Sequence, residues 1–300
     1  MSGRSKRGAF TLVELLTAVA VIAILIGLLV PAFSLIQKSA LAVRQKGQFS
    51  QIGTALEGYR SDMGDYPPSS RTGTPGDRYE GAQKLAEAII GWDGFGFHPR
   101  SVFSWDGTDN PNGGGTARVY LRPTDPGWDT NLKERKGPYL ELEAAGAVRL
   151  GDLIPSGAMG ELAPATYVLV DSFKTIAHQK TRKMTGMPIL YYRANESGIY
   201  HRAPTNPLPL ASDSFVYDVR DNRDFFLVPR SMAGAINDEL SDQPSSWPLF
   251  YDATTNPNFF FGQGDDRNRP YRADSFILHS AGPDGRYGTG DDMYNFEKDE

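Results

Sequence analysis

Apolar positions divide the chain into two regimes. From Phe10 to Val30 nearly every side chain is aliphatic or aromatic, and Glu14 is the one charge. At 1.5 Å per residue that stretch is about 31 Å long as a helix, the thickness of a bilayer core. Beyond Pro31 the apolar positions retreat to one face. Ala42, Phe49, Ile52, Leu56, Tyr59 and Met63 recur at spacings of three, four and seven, with Gln45, Gln48, Gln51, Glu57 and Arg60 largely off that face. This predicts an amphipathic helix, stopped by Gly64 with Pro67 and Pro68 behind it. One spine helix over 10–63 is expected, its first part (10–31) membrane-crossing and its second part packed on a globular head, 64–300.

Within the head, Gly81–Ile90 reads as a short helix with Leu85, Ala88 and Ile89 on one face and Gly91 ending it. The glycine-rich stretch 91–116 carries Trp92, Phe95, Phe97, Phe103 and Trp105 and reads as a long surface excursion ordered by its aromatics. Strands are predicted over Thr166–Phe173, Ile189–Arg193, Ile199–Arg202, Ser214–Val219 and Ser275–His279, the second and third joined as a hairpin by residues 194–198. Ser231–Leu240 is a further helix candidate. The fold class is α+β: a long spine helix on a mostly antiparallel sheet with irregular insertions.

The acid inside the apolar run needs a reason. A carboxylate at that depth costs several kcal/mol in lipid unless it is paired. A basic leader (Arg4, Lys6, Arg7) precedes Phe10-Thr11-Leu12-Val13-Glu14, and this stretch resembles the leader and helix of type IV prepilins and of type II secretion pseudopilins. The resemblance implies cleavage by a prepilin peptidase before Phe10, methylation of the new amine, and pairing of that amine with Glu14 of another subunit. Gly8 and Ala9 flank the cut; cleavage at Ala9–Phe10 keeps Glu14 fifth and Pro31 twenty-second, while cleavage at Gly8–Ala9 stays open. An ordinary signal peptide has an apolar core of only ~7–15 residues and an Ala-x-Ala site, which does not follow here. The basic leader is expected to stay cytoplasmic and the remainder to be exported.

The formal net charge is −5, and loss of the leader's three cations would leave −8. That argues against a nucleic-acid partner and against flat docking on anionic lipid. With 32 glycines and 21 prolines the chain is loop-rich, yet 40% hydrophobic content is enough for a core. There are no cysteines, so neither disulfides nor thiol chemistry enter.

A second segment with possible chemistry is 280–293, Ser-Ala-Gly-Pro-Asp-Gly-Arg-Tyr-Gly-Thr-Gly-Asp-Asp-Met. Asp284, Asp291 and Asp292 supply hard oxygen donors, though not at EF-hand spacing, so on the residues alone a calcium loop and a solvated acidic turn fit equally. The segment is similar to the C-terminal calcium loop of the major type II pseudopilins. Tyr59-Arg60-Ser61-Asp62-Met63-Gly64-Asp65-Tyr66-Pro67, Gly137-Pro138-Tyr139-Leu140 and Pro188–Tyr192 resemble further parts of that family's head. The resemblance implies a Ca2+ ion held by Ser280, Asp284, Asp291 and Asp292. This chain is longer than those heads, so 70–135, 143–186 and 200–272 would be mostly insertions. Gly264-Asp265-Asp266 is expected to be a solvated turn.

Catalytic patterns are lacking. His98, His178, His201 and His279 are scattered, and no Gly-x-Ser-x-Gly elbow or P-loop occurs. His279 and Ser280 would point to opposite faces of a strand. The aromatics of 92–105 fit either local packing or a sugar- or partner-binding surface. The expected function is therefore not enzymatic but structural: a subunit of a periplasmic pseudopilus in type II protein secretion. Its partners would be a prepilin peptidase, other pseudopilin subunits and the inner-membrane assembly platform; the protein would sit in the bacterial inner membrane with its head in the periplasm. The alternatives are a type IV pilin for adhesion, motility or DNA uptake, and a monomeric membrane-anchored binding protein or enzyme.

Overall fold

A computed structural model describes residues 11–155, 158–203, 214–227, 240, 241, 243–263 and 265–298, without the side chains at 28, 30–32, 34 and 35. Gly8, Ala9 and Phe10, and the helix expected over 231–240 apart from Leu240, lie outside the described residues. The chain forms two compact units, Met1–Val43 and Arg44–Glu300. Helix α1, Leu12–Met63, contributes to both.

In the first unit α1 carries apolar side chains on every face. Leu12, Leu16, Val19, Ile22, Leu25 and Ile26 are all more than half exposed. A helix apolar all round has no stable place in water and must be covered by lipid or by other helices. Among the described residues no helix is long and apolar enough to cross a membrane. The expected span 10–31 includes Phe10, which lies outside the described residues.

In the second unit the buried stripe of α1 is Gln45, Phe49, Ile52, Leu56 and Tyr59. Gln45 departs from expectation by lying on that stripe, fully buried. The chain at 170–172 satisfies part of it: Gln45 Oε1 accepts the Ser172 amide at 2.8 Å, while its Nε2 is buried without a hydrogen bond, and the neighbouring Gln48 Nε2 donates to the Val170 carbonyl at 2.8 Å. Gly64, at φ 89°, ends the helix.

Helix α2 (Gly81–Ile90) has the expected bounds, but all ten residues are buried rather than one face. Its polar side chains find partners inside: Gln83 Nε2 on Thr166 Oγ1 at 2.7 Å, Lys84 on the Ser70 carbonyl, and Glu87 under the hydroxyls of Tyr79 (2.6 Å), Tyr120 (2.8 Å) and Ser101. Short helices α3 (Trp128–Glu134), α4 (Leu142–Ala145) and α5 (Leu150–Leu153) follow, with α6 (Pro248–Thr254) later in the chain.

Every strand pairing is antiparallel, but the strands form three small sheets instead of one. β1 (Ala147–Arg149) pairs with β2 (Tyr167–Leu169), and β3 (Ile176–Ala177) with β4 (Met184–Thr185). The central sheet runs β5 (Leu190–Arg193), β6 (Phe276–Ser280), β7 (Met293–Tyr294), with Leu190 opposite His279 and His279 opposite Tyr294. The hairpin expected from β5 into Ile199–Arg202 does not form. The turn is there (Gly198 N donates to Asn195 O at 2.9 Å), but β5 gives its ladder to β6, whose five residues are all buried. Tyr200 instead bridges Phe215 in parallel. The strand expected over Ser214–Val219 is reduced to that bridge, and Val219–Leu227 is a 3-10 helix broken at Asn222.

The central sheet is covered on both faces. Tyr191, Phe276 and Leu278 pack with Phe49, Ile52 and Leu56 of α1 and Leu85 and Ile89 of α2. Leu190, Tyr192 and Ile277 pack on the other side against Phe225, Phe226, Trp247, Phe250 and Tyr251. The stretch 200–272, expected as an insertion, thus supplies the second wall of the core. At the free edge of β5, α2 comes so close that a Cβ on Gly81 would sit 2.2 Å from the Tyr191 carbonyl oxygen. Asn222 ties the two together, accepting Ala82 N and donating to Tyr191 O, each at 2.8 Å.

Candidate functional site

The start of α1 is closed by a capping box. Thr11 donates to Glu14 Oε2 from its amide at 2.9 Å and from its hydroxyl at 2.8 Å, and Thr11 Oγ1 accepts the Glu14 amide at 3.3 Å. A helix start leaves four amides unpaired and favours a negative charge, so a Thr-x-x-Glu pair is stabilising there. Thr-x-x-Glu before an apolar run is the sequence signature of this cap. Glu14 Oε2 takes both Thr11 bonds, which holds the carboxylate at the first turn of α1.

The C-terminal loop brings together only part of its predicted set. Asp284 and Asp291 are neighbours: Asp291 Oδ2 accepts the Asp284 amide at 3.1 Å, and the Asp284 carboxyl is raised by partial burial and by the charge of Asp291. Asp292 turns inward, its Oδ2 meeting His279 Nε2 at 2.7 Å and the Gly288 amide at 2.8 Å, while its Oδ1 is buried without a hydrogen bond. Ser280 is fully buried and donates to Asp171 Oδ2 at 2.8 Å. Among the described residues no three acidic or histidine side chains gather closely enough to hold a metal ion. Of the four residues, Asp284 and Asp291 lie together, while Asp292 and Ser280 turn to other partners. The reason is local: β6 and β7 frame the loop, and the buried His279 draws Asp292 to the sheet side. Two carboxylates supply fewer than the six to eight oxygens calcium takes, so loop carbonyls and water would have to complete a shell.

Asp171, absent from the predicted site residues, joins the loop to the spine. Oδ1 accepts the amides of Phe173 (3.1 Å) and Met187 (3.2 Å), Oδ2 the Ser280 hydroxyl, and the adjoining Ser172 amide reaches Gln45. Burial raises its carboxyl to about 7.

The other candidates resolve individually. His279 and Ser280 turn to different partners, as alternation along a strand requires. His201, buried and 3.2 Å from Thr254 Oγ1, is pushed down to about 3 by loss of solvent. Of the 92–105 aromatics, Phe97 and Phe103 pack with Tyr59, Tyr79 and Ala88, and Trp92 Nε1 donates to the Trp105 carbonyl at 3.0 Å. That stretch is held by local packing. Asp265 and Asp266 are taken by Arg267 and Arg202. A cleft of about 630 Å³ opens between Arg60, Asp65, Ser69, Arg193, Asp218 and Asp221. Within it, burial and the neighbouring Asp218 raise Asp221 to about 7.

Residues 4–30 match the family model of the prokaryotic N-terminal methylation motif. No characterised protein and no solved structure is similar to the chain at a significant level. The motif supports a type IV prepilin-like protein: a substrate of a prepilin peptidase, membrane-anchored, with an extracytoplasmic body.

Proposed function

We propose that this chain is a structural subunit of a periplasmic pseudopilus in type II protein secretion, held in the bacterial inner membrane and added to a filament after processing. The observation that carries this reading is the methylation motif over 4–30 leading into a helix with apolar side chains on every face and a single acid near its start. An anchor alone gains nothing from that acid. A stack of helices does, because each new N-terminal amine needs a counter-charge at the same depth. The partners in this reading are the prepilin peptidase, other pilin-like subunits and the inner-membrane assembly platform. Calcium enters in a narrower form than the four residues implied, through Asp284 and Asp291.

The test joins processing to assembly. Intact-mass measurement should show a chain beginning at Phe10 with a methylated amine. Glu14→Ala should still insert, since the apolar run loses its one charge, but should be depleted from the sheared-fibre fraction. A chain retaining Met1 beside an active peptidase, or normal fibre yield from Glu14→Ala, would refute the proposal. A second reading, a monomeric anchored binding protein, is favoured by the cleft around Asp218 and Asp221; it requires a processed chain that never enters fibres.

A further inference from the structure

Two apolar features lie at the surface of the head. The first is the turn Phe259-Phe260-Phe261, whose three rings are 51%, 52% and 52% exposed. At ~200 Å² per phenylalanine, the three together show about 300 Å² of apolar surface, the size of patch that marks interaction sites on soluble chains. The turn is also held rigid. Buried Asn268 accepts the Phe261 amide at 2.8 Å through Oδ1 and donates to the Gly262 carbonyl at 2.8 Å through Nδ2. A buried amide that fixes exposed aromatics presents them at low entropic cost to whatever covers them.

The second is a groove of about 340 Å³ beside the head portion of α1, floored by the buried rings of Phe49, Phe276 and Tyr294 and edged by Ser50, Gly53 and the half-buried Phe296. Gly53 keeps it open: a Cβ there would meet only Phe276 Cζ, at 3.9 Å. Nothing in the head requires a glycine at that position, and in mid-helix it costs about 0.5–1 kcal/mol relative to alanine. The rim carries the Lys46–Glu297 ion pair (3.0 Å) and Arg272, which donates to the Phe276 carbonyl. Beside the phenylalanine turn stands Asp252, held by the neutral Gln263, a carboxylate to set against the Arg272 rim.

We propose that the Phe259–Phe261 turn of one copy seats in the Phe49/Phe276/Phe296 groove of the next. Turn and groove share no residue, so the contact is between two different surfaces of identical chains. An assembly joined by such a heterologous contact keeps one free surface of each kind at its ends and therefore propagates instead of closing as a pair. It deepens the filament reading and rests on it, naming a head-to-head contact in addition to packing of the apolar helices.

The chain has no cysteine of its own, which makes the test direct. Full-length protein carrying both Phe260→Cys and Ser50→Cys, oxidised in intact membranes, should give a disulfide ladder. Two single variants expressed together should give dimers, and each single variant alone should stay monomeric. In parallel, an amine-reactive cross-linker on the unmodified chain reports polymerisation through any face. A ladder from that reagent without one from the cysteine pair overturns this contact and leaves the filament reading standing; no ladder from either overturns both. Disulfide dimers from Phe260→Cys alone would show a turn-to-turn pair and also refute the proposal. Gly53→Leu, which fills the groove from an open helix face, should abolish the cysteine ladder without changing the melting temperature downward; an intact ladder in that background refutes the groove.

Discussion

Asn222 is the residue whose loss the structure prices most directly. It is fully buried and interrupts a 3-10 helix at φ −131°. That departure lets its amide reach the Ala82 amide on one side and the Tyr191 carbonyl on the other, both at 2.8 Å. Asn222→Ala strands one donor and one acceptor where water is excluded. Each such group costs about 1–3 kcal/mol, so the pair is worth about 4 kcal/mol, a large share of the ~5–15 kcal/mol that holds a domain together. For a body of this size 1 kcal/mol moves Tm by ~2–4 °C, giving an expected drop of about 8–16 °C. Calorimetry of the full-length chain in detergent measures it. Asn222→Asp separates lost bonds from lost volume, since it keeps the shape but turns a second acceptor toward the Tyr191 carbonyl; it should be no more stable than the alanine variant at pH 7. A drop below about 3 °C for Asn222→Ala would refute the claim that this side chain joins α2 to the sheet.

Three further outcomes are expected. Burial raises Asp171 to about 7 against ~3.9 unfolded; the folded state binds the proton more tightly, so this contribution is full below pH ~4 and is lost as pH rises through about 7. Tm should therefore fall from pH 5 to 8 in thermal scans, and Asp171→Asn should flatten that fall. Gly81→Ala, whose Cβ would lie 2.2 Å from the Tyr191 oxygen, should lower the denaturation midpoint, whereas Gly47→Ala, with nothing within 4 Å, should raise stability by about 0.5–1 kcal/mol. If Asp284 and Asp291 hold calcium, Tm in millimolar Ca2+ should exceed that in EDTA by the equivalent of about 2.7 kcal/mol at a hundredfold excess over Kd, and Asp291→Ala should remove the difference.

Helices α1 and α2 were legible in the chain, while the short helices α3 to α6 carried no periodic signal. α1 ends at Met63 before Gly64, and α2 spans Gly81–Ile90, as periodicity and glycine stops predict. What periodicity missed was burial of polar groups: Gln45, Gln83, Lys84 and Glu87 look like solvent-facing residues until their distant partners are known. The strands were legible as β5 and β6 but not in their pairing, because Leu190 and His279 lie 89 positions apart and the nearer segment, Ile199–Arg202, offered the shorter closure. In the C-terminal loop, composition identified three acids; it carried no sign that the His279 ring would turn Asp292 away from the other two.

The doubly covered central sheet changes what subtraction can do to this molecule. The stretch 200–272, with few regular elements among its described residues, invites trimming. Yet Phe225, Phe226, Phe250 and Tyr251 are the ground on which Leu190, Tyr192 and Ile277 stand. Excision would turn an interior wall into an exterior one, and a strand buried on two sides would acquire a sticky face. Any shortening of 200–272 would have to change β5 and β6 in step with it. The core depends on that segment and is not merely decorated by it.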